Sequence, residues 1–278
     1  MPDTRNVGKD AMKEDGTVNR AALPAIFNPE DMNALEQALR IKDTYPESEI
    51  KLLTMGPSRA AEIIREGLYR GADGGILLTD RKFAGADTLA TSYALSMAIR
   101  KMNPDIIIAG RQAIDGDTAQ VGPQVAEKLG YPQVTYAEEI TGFEEGKLII
   151  KRRLERGIEV IKTPLPVVIT VHATAPDCRP RNAKQLMRFK HARTQTEEQD
   201  SALDSYIPLE GNEMLIIPEW GINDVGGDES SYGLSGSPTK VKRIENIVFQ
   251  AKESKKLTPS FEDIDSLVKE LVSSHTIG

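Results

Sequence analysis

The residues best suited to chemistry run from Gly110 to Pro123, GRQAIDGDTAQVGP. They follow the apolar run Asp105 to Ala109, DIIIA, and lead into a helical pattern that starts near Thr118. Beyond the carboxyl end of a strand, a helix N-terminus offers free N–H groups and the positive end of its dipole to an anion. Gly110 and Gly116 permit close backbone approach. Thr118 and Gln120 add neutral hydrogen-bonding groups. The segment is neither GxGxxG nor a loop ending in GK[ST]. On residue chemistry alone it reads either as an anion or nucleotide site or as an ordinary strand–helix turn rich in small polar residues.

Other chemistries are poorly supplied. One cysteine, Cys178, rules out an internal disulfide and any CxxC metal pair. Three scattered histidines, His172, His191 and His275, make no metal-binding pattern. A net charge of -7 argues against nucleic acid as a partner, since phosphate binding wants a basic face. No apolar run approaches the roughly 20 residues of a membrane span. The polar start MPDTRNVGKDAMKEDGTVNR lacks a signal-peptide core, so the expected location is cytoplasmic.

The elements around the loop alternate. Asn28-Pro29-Glu30-Asp31 opens a first helix, with Asn28 as N-cap and Asp31 placed for a capping box. Ile50 to Met55 is a strand, and Ser58 caps a helix reaching Arg70. Gly75 to Leu78 is a strand and Asp87 to Met102 a helix. DIIIA has the run expected of a strand buried on both faces. Thr118 to Leu129 is a helix ending at Gly130. This alternation predicts an α/β fold, a mostly parallel sheet with helices on both faces.

The period then changes. Val134 to Ile140, Lys147 to Leu154 and Ile158 to Ile161 predict a small antiparallel extension, turning at Gly146 and Gly157. Pro166 to Val171 is a last core strand, and Lys184 to Lys190 a short basic helix. Thr194 to Asp204 reads as a linker, and Ile216 to Lys242, rich in Gly, Ser and Pro, as an extended arm. Phe261 to Val272 is an amphipathic C-terminal helix. The nucleotide-binding core is thus expected over 1–193, with linker, arm and helix over 194–278.

The loop GRQAIDGDTAQVGP resembles the adenine-nucleotide loop of electron-transfer flavoprotein β subunits. That family pattern is a strand, G-x-Q-A-I-D-x-D, a short run with Gln, and a helix. NPED before the first helix, MGP at Met55 to Pro57 and TPLPVV at Thr163 to Val168 agree in order. The resemblance implies a Rossmann-like core with an arm docking on an α subunit. It implies cofactor contacts from Asn28, Asp31, Met55, Gly110, Arg111, Gln112, Ala113, Asp115, Asp117, Thr118, Ala119, Gln120, Val121 and Gly122. Simple members hold AMP there, while electron-bifurcating members hold FAD that takes hydride from NADH.

Gly233 to Lys240, GLSGSPTK, is similar to the arm motif of the bifurcating group, which adds Ser237 and Thr239 and favours FAD over AMP. No side chain need act as nucleophile or base, because the cofactor carries the chemistry. The basic stretch from Cys178 to Arg193 resembles the family's docking loop for a flavin dehydrogenase, such as an acyl-CoA dehydrogenase. Its expected contacts are Arg179, Arg181, Lys184, Leu186, Met187 and Arg188. Simple members carry an LPNIM-like run where this chain reads AKQLM. The family also begins with a β strand ending in a VKQVPDT-like turn, and Met1-Pro2-Asp3-Thr4 matches its end. The resemblance therefore reads the start as lacking that strand. A stand-alone adenine-nucleotide-binding module of the same α/β class, or a partner subunit with a degenerate site, are the competing readings.

Overall fold

The computed structural model describes residues 25–199, 211–239 and 256–274. Contacts divide the chain into two compact units, Met1–Lys242 and Arg243–Gly278. The first unit opens with α1 (Pro29–Thr44), β1 (Lys51–Met55), α2 (Ala61–Leu68), β2 (Gly74–Leu78), α3 (Thr88–Met102), β3 (Ile106–Gly110) and α4 (Val121–Leu129). It continues through β4 (Gln133–Glu144), β5 (Lys147–Leu154), β6 (Gly157–Pro164), β7 (Val167–Val171), α5 (Ala183–Phe189), β8 (Arg193–Thr194) and α6 (Gln195–Gln199). After the undescribed residues come β9 (Ile216–Ile217), β10 (Glu219–Trp220) and α7 (Ile222–Val225). The second unit contributes α8 (Phe261–Ser273).

The architecture is the expected mixed α/β one. Five strands run β3-β7-β4-β5-β6, with β3, β7 and β4 parallel and β4, β5 and β6 antiparallel. A parallel trio runs β1-β2-β10, and β8 pairs with β9. Between β3 and β4 in the larger sheet lies β7, VVITV, every residue of which is buried. It packs with Val134, Ala137, Leu148 and Ile150, and with Ala34 of α1. An aliphatic core of this kind suits a chain with so few aromatics.

Several expectations change. The DIIIA run forms β3, but β3 is half-buried throughout because β7 is its sole partner strand among the described residues. The expected capping box at Asn28 does not form; Asn28 turns its side chain elsewhere. Ser58 opens a single tight turn over Ser58–Ala60, and the α-helix proper is Ala61–Leu68. The helix expected from Thr118 starts at Val121, because Asp117 and Ala119 take left-handed backbone angles of 50° and 53° that no helix accommodates. Part of the expected linker is α6. The expected aperiodic arm is structured over 211–239: β10 extends the parallel trio, and α7 buries Ile222 and Val225. Those residues lie within the first unit. The N-terminal strand expectation falls on residues 1–24, outside the described part.

Candidate functional site

The 110–120 loop leaves the carboxyl end of β3 and is held by the first turn of α1. Three of its backbone N–H groups donate to side chains of Asn28 and the first turn of α1. Gly110 N donates to Asp31 Oδ1 at 2.5 Å, Gln112 N to Glu30 Oε2 at 2.9 Å and Ile114 N to Asn28 Oδ1 at 3.2 Å. Asn28 Nδ2 returns a bond to Gln112 O at 2.9 Å. Arg111 closes the arrangement with an ion pair to Glu30 at 3.1 Å. Burial pushes the Asp31 carboxyl above the usual carboxylate range, against the pull of the Gly110 N–H. Burial of Arg111 opposes its charge, and Glu30 reverses that to a net raised pKa.

Gly110 is required here by space. A Cβ would lie 2.7 Å from both Asp31 N and Glu30 C. Gly122 is equally tight, since a Cβ would meet Thr170 Cγ2 at 2.4 Å. The loop's outer face stays open. Ala113 to Thr118 are exposed, and Gln112 bonds across to Asp117. Left-handed Asp117 and Ala119 store backbone strain just before α4.

The helix N-termini are not equivalent. Asp87 caps α3 by accepting from Leu89 N at 2.9 Å and Ala90 N at 3.0 Å. Asn182 caps α5 by its side chain as well. The N-cap of α4, Gln120, makes no such bond. The first N–H groups of α4 are therefore without a side-chain cap, which is the condition for anion binding there. One turn on, Gln124 Oε1 is buried without a hydrogen-bond partner among the described residues.

Two distant loops meet at the start of α3. Thr239 N and Oγ1 both donate to Asp87 Oδ2, at 3.1 and 2.6 Å. Asp87 N donates to Ser237 Oγ at 2.8 Å, and Ser237, buried, donates to Gly233 O at 2.7 Å. Thr88 Oγ1 donates to Gln120 Oε1 at 3.0 Å. The structure thus joins the GLSGSPT segment to the α4 N-cap through Asp87 and Thr88. Sequence reasoning named Ser237, Thr239 and Gln120 but missed Asp87 as the residue that, with Thr88, connects them, and Glu30 as the residue that holds Arg111 and Gln112. Their signals were visible only as an N-cap and an acidic first turn.

Met55 ends β1 and packs against the Leu78, Phe83 and Tyr232 cluster. Sequence reasoning also missed Tyr136 and His172. Tyr136 holds a left-handed φ of 58° at the end of the parallel stretch of β4. Its ring lies 5.7 Å from that of His172 and 5.7 Å from the Arg111 guanidinium. His172 Nδ1 accepts from Thr174 N at 3.2 Å, which places the neutral ring's proton on Nε2.

The basic stretch is only partly free. Arg179 is fixed by Glu36 at 3.0 Å and Asp43 at 2.7 Å, and Arg181 by Glu66. Hydrogen bonds that Arg179 donates to Asp43 and Glu36 raise its pKa. Lys184, Met187 and Arg188 are exposed on α5, and Leu186 is half-buried. Burial pushes the Cys178 thiol up to about 11, so it is no ready thiolate. Among the described residues no helix is long and apolar enough to cross a membrane.

Residues 15–200 match the electron transfer flavoprotein domain family. The chain belongs to that family. It is 43% identical over 251 residues to the electron transfer flavoprotein subunit beta of Megasphaera elsdenii, covering 88% of this chain and 83% of that one. The corresponding subunit of Clostridium acetobutylicum is 40% identical over 270 residues, 97% of this chain and 91% of that one. The caffeyl-CoA reductase–Etf complex subunit CarD of Acetobacterium woodii is 42% identical over 244 residues, 87% and 83% of the two. The chain is therefore an electron-transfer protein of the flavoprotein β-subunit type, and the 110–122 loop lies within the matched family region.

Proposed function

We propose that this chain binds FAD at the 110–122 loop and works beside an α-type subunit. There it passes electrons between NADH, the partner's FAD and further acceptors, by flavin-based bifurcation. The observation that carries this reading is the meeting of the 110–122 and 233–239 loops beside the α4 N-terminus that no side chain caps. AMP needs only the first loop; a second loop set beside it supports the longer dinucleotide.

The residues present fit such a group. The N–H groups of Val121 and Gly122 would face the pyrophosphate, and Thr118 and Gln120 would reach phosphate or ribose hydroxyls. Gly122 lets the backbone sit tight against Thr170 of β7. Gln124 Oε1 is a buried acceptor left for a donor. Asn28, Glu30 and Asp31 would act indirectly, by fixing the loop through its own N–H groups. FAD, when bound, supplies the hydride and electron chemistry, and the chain positions it.

The relatives support the partner side of the reading, since one is named as part of a reductase–Etf complex. The helix α8 carries Phe261, Ile264, Leu267, Val268 and Val272 exposed on an apolar stripe, the surface expected to meet an α subunit. With Arg179 and Arg181 engaged inside the chain, a flavin dehydrogenase would meet Lys184, Leu186, Met187 and Arg188. Use of NADH fits a cytoplasmic location.

Anaerobic addition of NADH to the purified complex with its α subunit tests the reading. Bleaching of the visible flavin band is expected. A complex that contains AMP at this site and does not react with NADH would leave the simple electron carrier instead.

A further inference from the structure

We infer that Asp87 is the positioning residue that assembles the nucleotide site, an inference that rests on the nucleotide reading above. Its two oxygens do separate jobs. Oδ1 accepts from Leu89 N and Ala90 N, so the N-terminus of α3 is closed to an outside anion. Oδ2 accepts from Thr239 N and Thr239 Oγ1, so the 233–239 loop is drawn onto the same helix end. The backbone of the same residue donates to Ser237 Oγ. One residue later, Thr88 reaches Gln120 at the N-cap of α4.

Two helix ends therefore lie side by side with opposite dispositions. The α3 end is filled by a carboxylate, and the α4 end has no side-chain cap. A phosphate arriving between them is directed to α4, because Asp87 both occupies the α3 donors and repels charge there. Burial alone would raise the Asp87 carboxyl; the bonds from Thr239, Ala90 and Leu89 reverse this to a lowered pKa. The group stays ionised at working pH while four N–H and O–H donors surround it. The loop it holds has little freedom to sit elsewhere: Leu234 N donates to Ala84 O at 3.1 Å, and a Cβ on Gly233 would fall 2.0 Å from Lys82 O.

Asparagine separates the two jobs. Asp87→Asn keeps an oxygen that caps α3, since Asn is as good an N-cap as Asp. Its amide nitrogen then faces the Thr239 donors and cannot accept from them. Thr239→Val removes one of those donors and leaves the cap untouched.

The test uses the full chain in complex with its α subunit, loaded with FAD or AMP in separate arms. The readouts are nucleotide dissociation rate, the visible spectrum of bound flavin, and hydrogen exchange over 233–239 with and without nucleotide. Asp87→Asn is expected to speed FAD dissociation by roughly tenfold or more, as loss of a charge-assisted pair implies. It should also abolish any slowing of exchange in 233–239 on binding. Thr239→Val should do the same more weakly, and Asp87→Glu should recover part of the effect. AMP dissociation should change less than that of FAD, because AMP does not extend to the second loop. Unchanged FAD dissociation and spectrum in both Asp87→Asn and Thr239→Val, with wild type binding normally, would overturn this inference alone. A wild-type complex with no nucleotide at this site would overturn the nucleotide reading and this inference with it.

Discussion

Two glycine-bearing loops flank the starts of α3 and α4, and they are held by different means. In the 110–122 loop, two carboxylates from α1 and the amide of Asn28 before it take hold of the backbone N–H groups of residues 110, 112 and 114. Its tip remains exposed. In the 226–239 loop, close backbone approach at the glycines combines with side-chain contacts from Phe83, Asp87 and Tyr93. Gly233 lies against Lys82 O and Gly236 against Ser231 O, and the Asp87 carboxylate closes the end. Tyr232 is buried between Phe83 and Tyr93, with ring centroids 5.4 and 5.0 Å away, and donates its hydroxyl to Gly226 O. The first loop is fixed at its base and free at its tip. The second is fixed along its length. A site built from both combines an open mouth with one rigid wall.

Breaking the rigid wall should have the largest effect. Gly233 has a φ of 53° and no room for a Cβ. Gly233→Ala is expected to cost about 3 kcal/mol, from overpacking together with left-handed strain. Urea denaturation of the chain measures it, and a loss under ~1 kcal/mol would mean the loop has an easy alternative conformation.

The base of the open loop comes next. Glu30→Ala leaves the Gln112 N–H without its acceptor and Arg111 without its ion pair. A loss of about 2 kcal/mol is expected, together with weaker nucleotide retention. Stability loss without any change in retention would separate the loop from the ligand.

A pH profile sharpens the same region. The folded pKa of Asp31 is raised, chiefly by burial. A group raised on folding adds stability as pH falls below its folded pKa, and that contribution is lost as pH rises through it. Asp31→Asn removes this dependence. The variant's Tm relative to wild type should therefore be higher at about pH 7 than at about pH 4. A flat difference would contradict the burial described for Asp31.

The smallest effect is expected at the tip. A Cβ on Gly116 meets nothing within 4 Å. Gly116→Ala should change stability by less than ~0.5 kcal/mol. A large loss would show that the tip is held after all.

The difference between the loops also explains what could be read in the sequence. The parallel strands, the helices over 88–102 and 261–273 and the antiparallel extension follow from periodicity and turn residues, and they are present. The 110–122 loop was legible because it lies between a strand and a helix in one continuous stretch. The 226–239 segment looked like an arm because its order comes from contacts with Lys82 to Asp87, some 150 residues earlier, as in the bond from Asp87 N to Ser237 Oγ. Glycine and serine carry no periodic signal for such contacts. Tyr136 was hidden for a different reason: a tyrosine in a strand pattern gives no hint of a left-handed backbone. The half-buried state of β3 was likewise unreadable, because its apolar run reports residue type and not the number of neighbouring strands.

On the proposed reading, this chain adds a second flavin to its complex. Denaturing the purified complex with its α subunit and quantifying the released nucleotides tests it most directly. Roughly two FAD per pair are expected, the one at this site leaving roughly tenfold faster or more on Asp87→Asn. One FAD with one AMP would contradict the flavin assignment of this site.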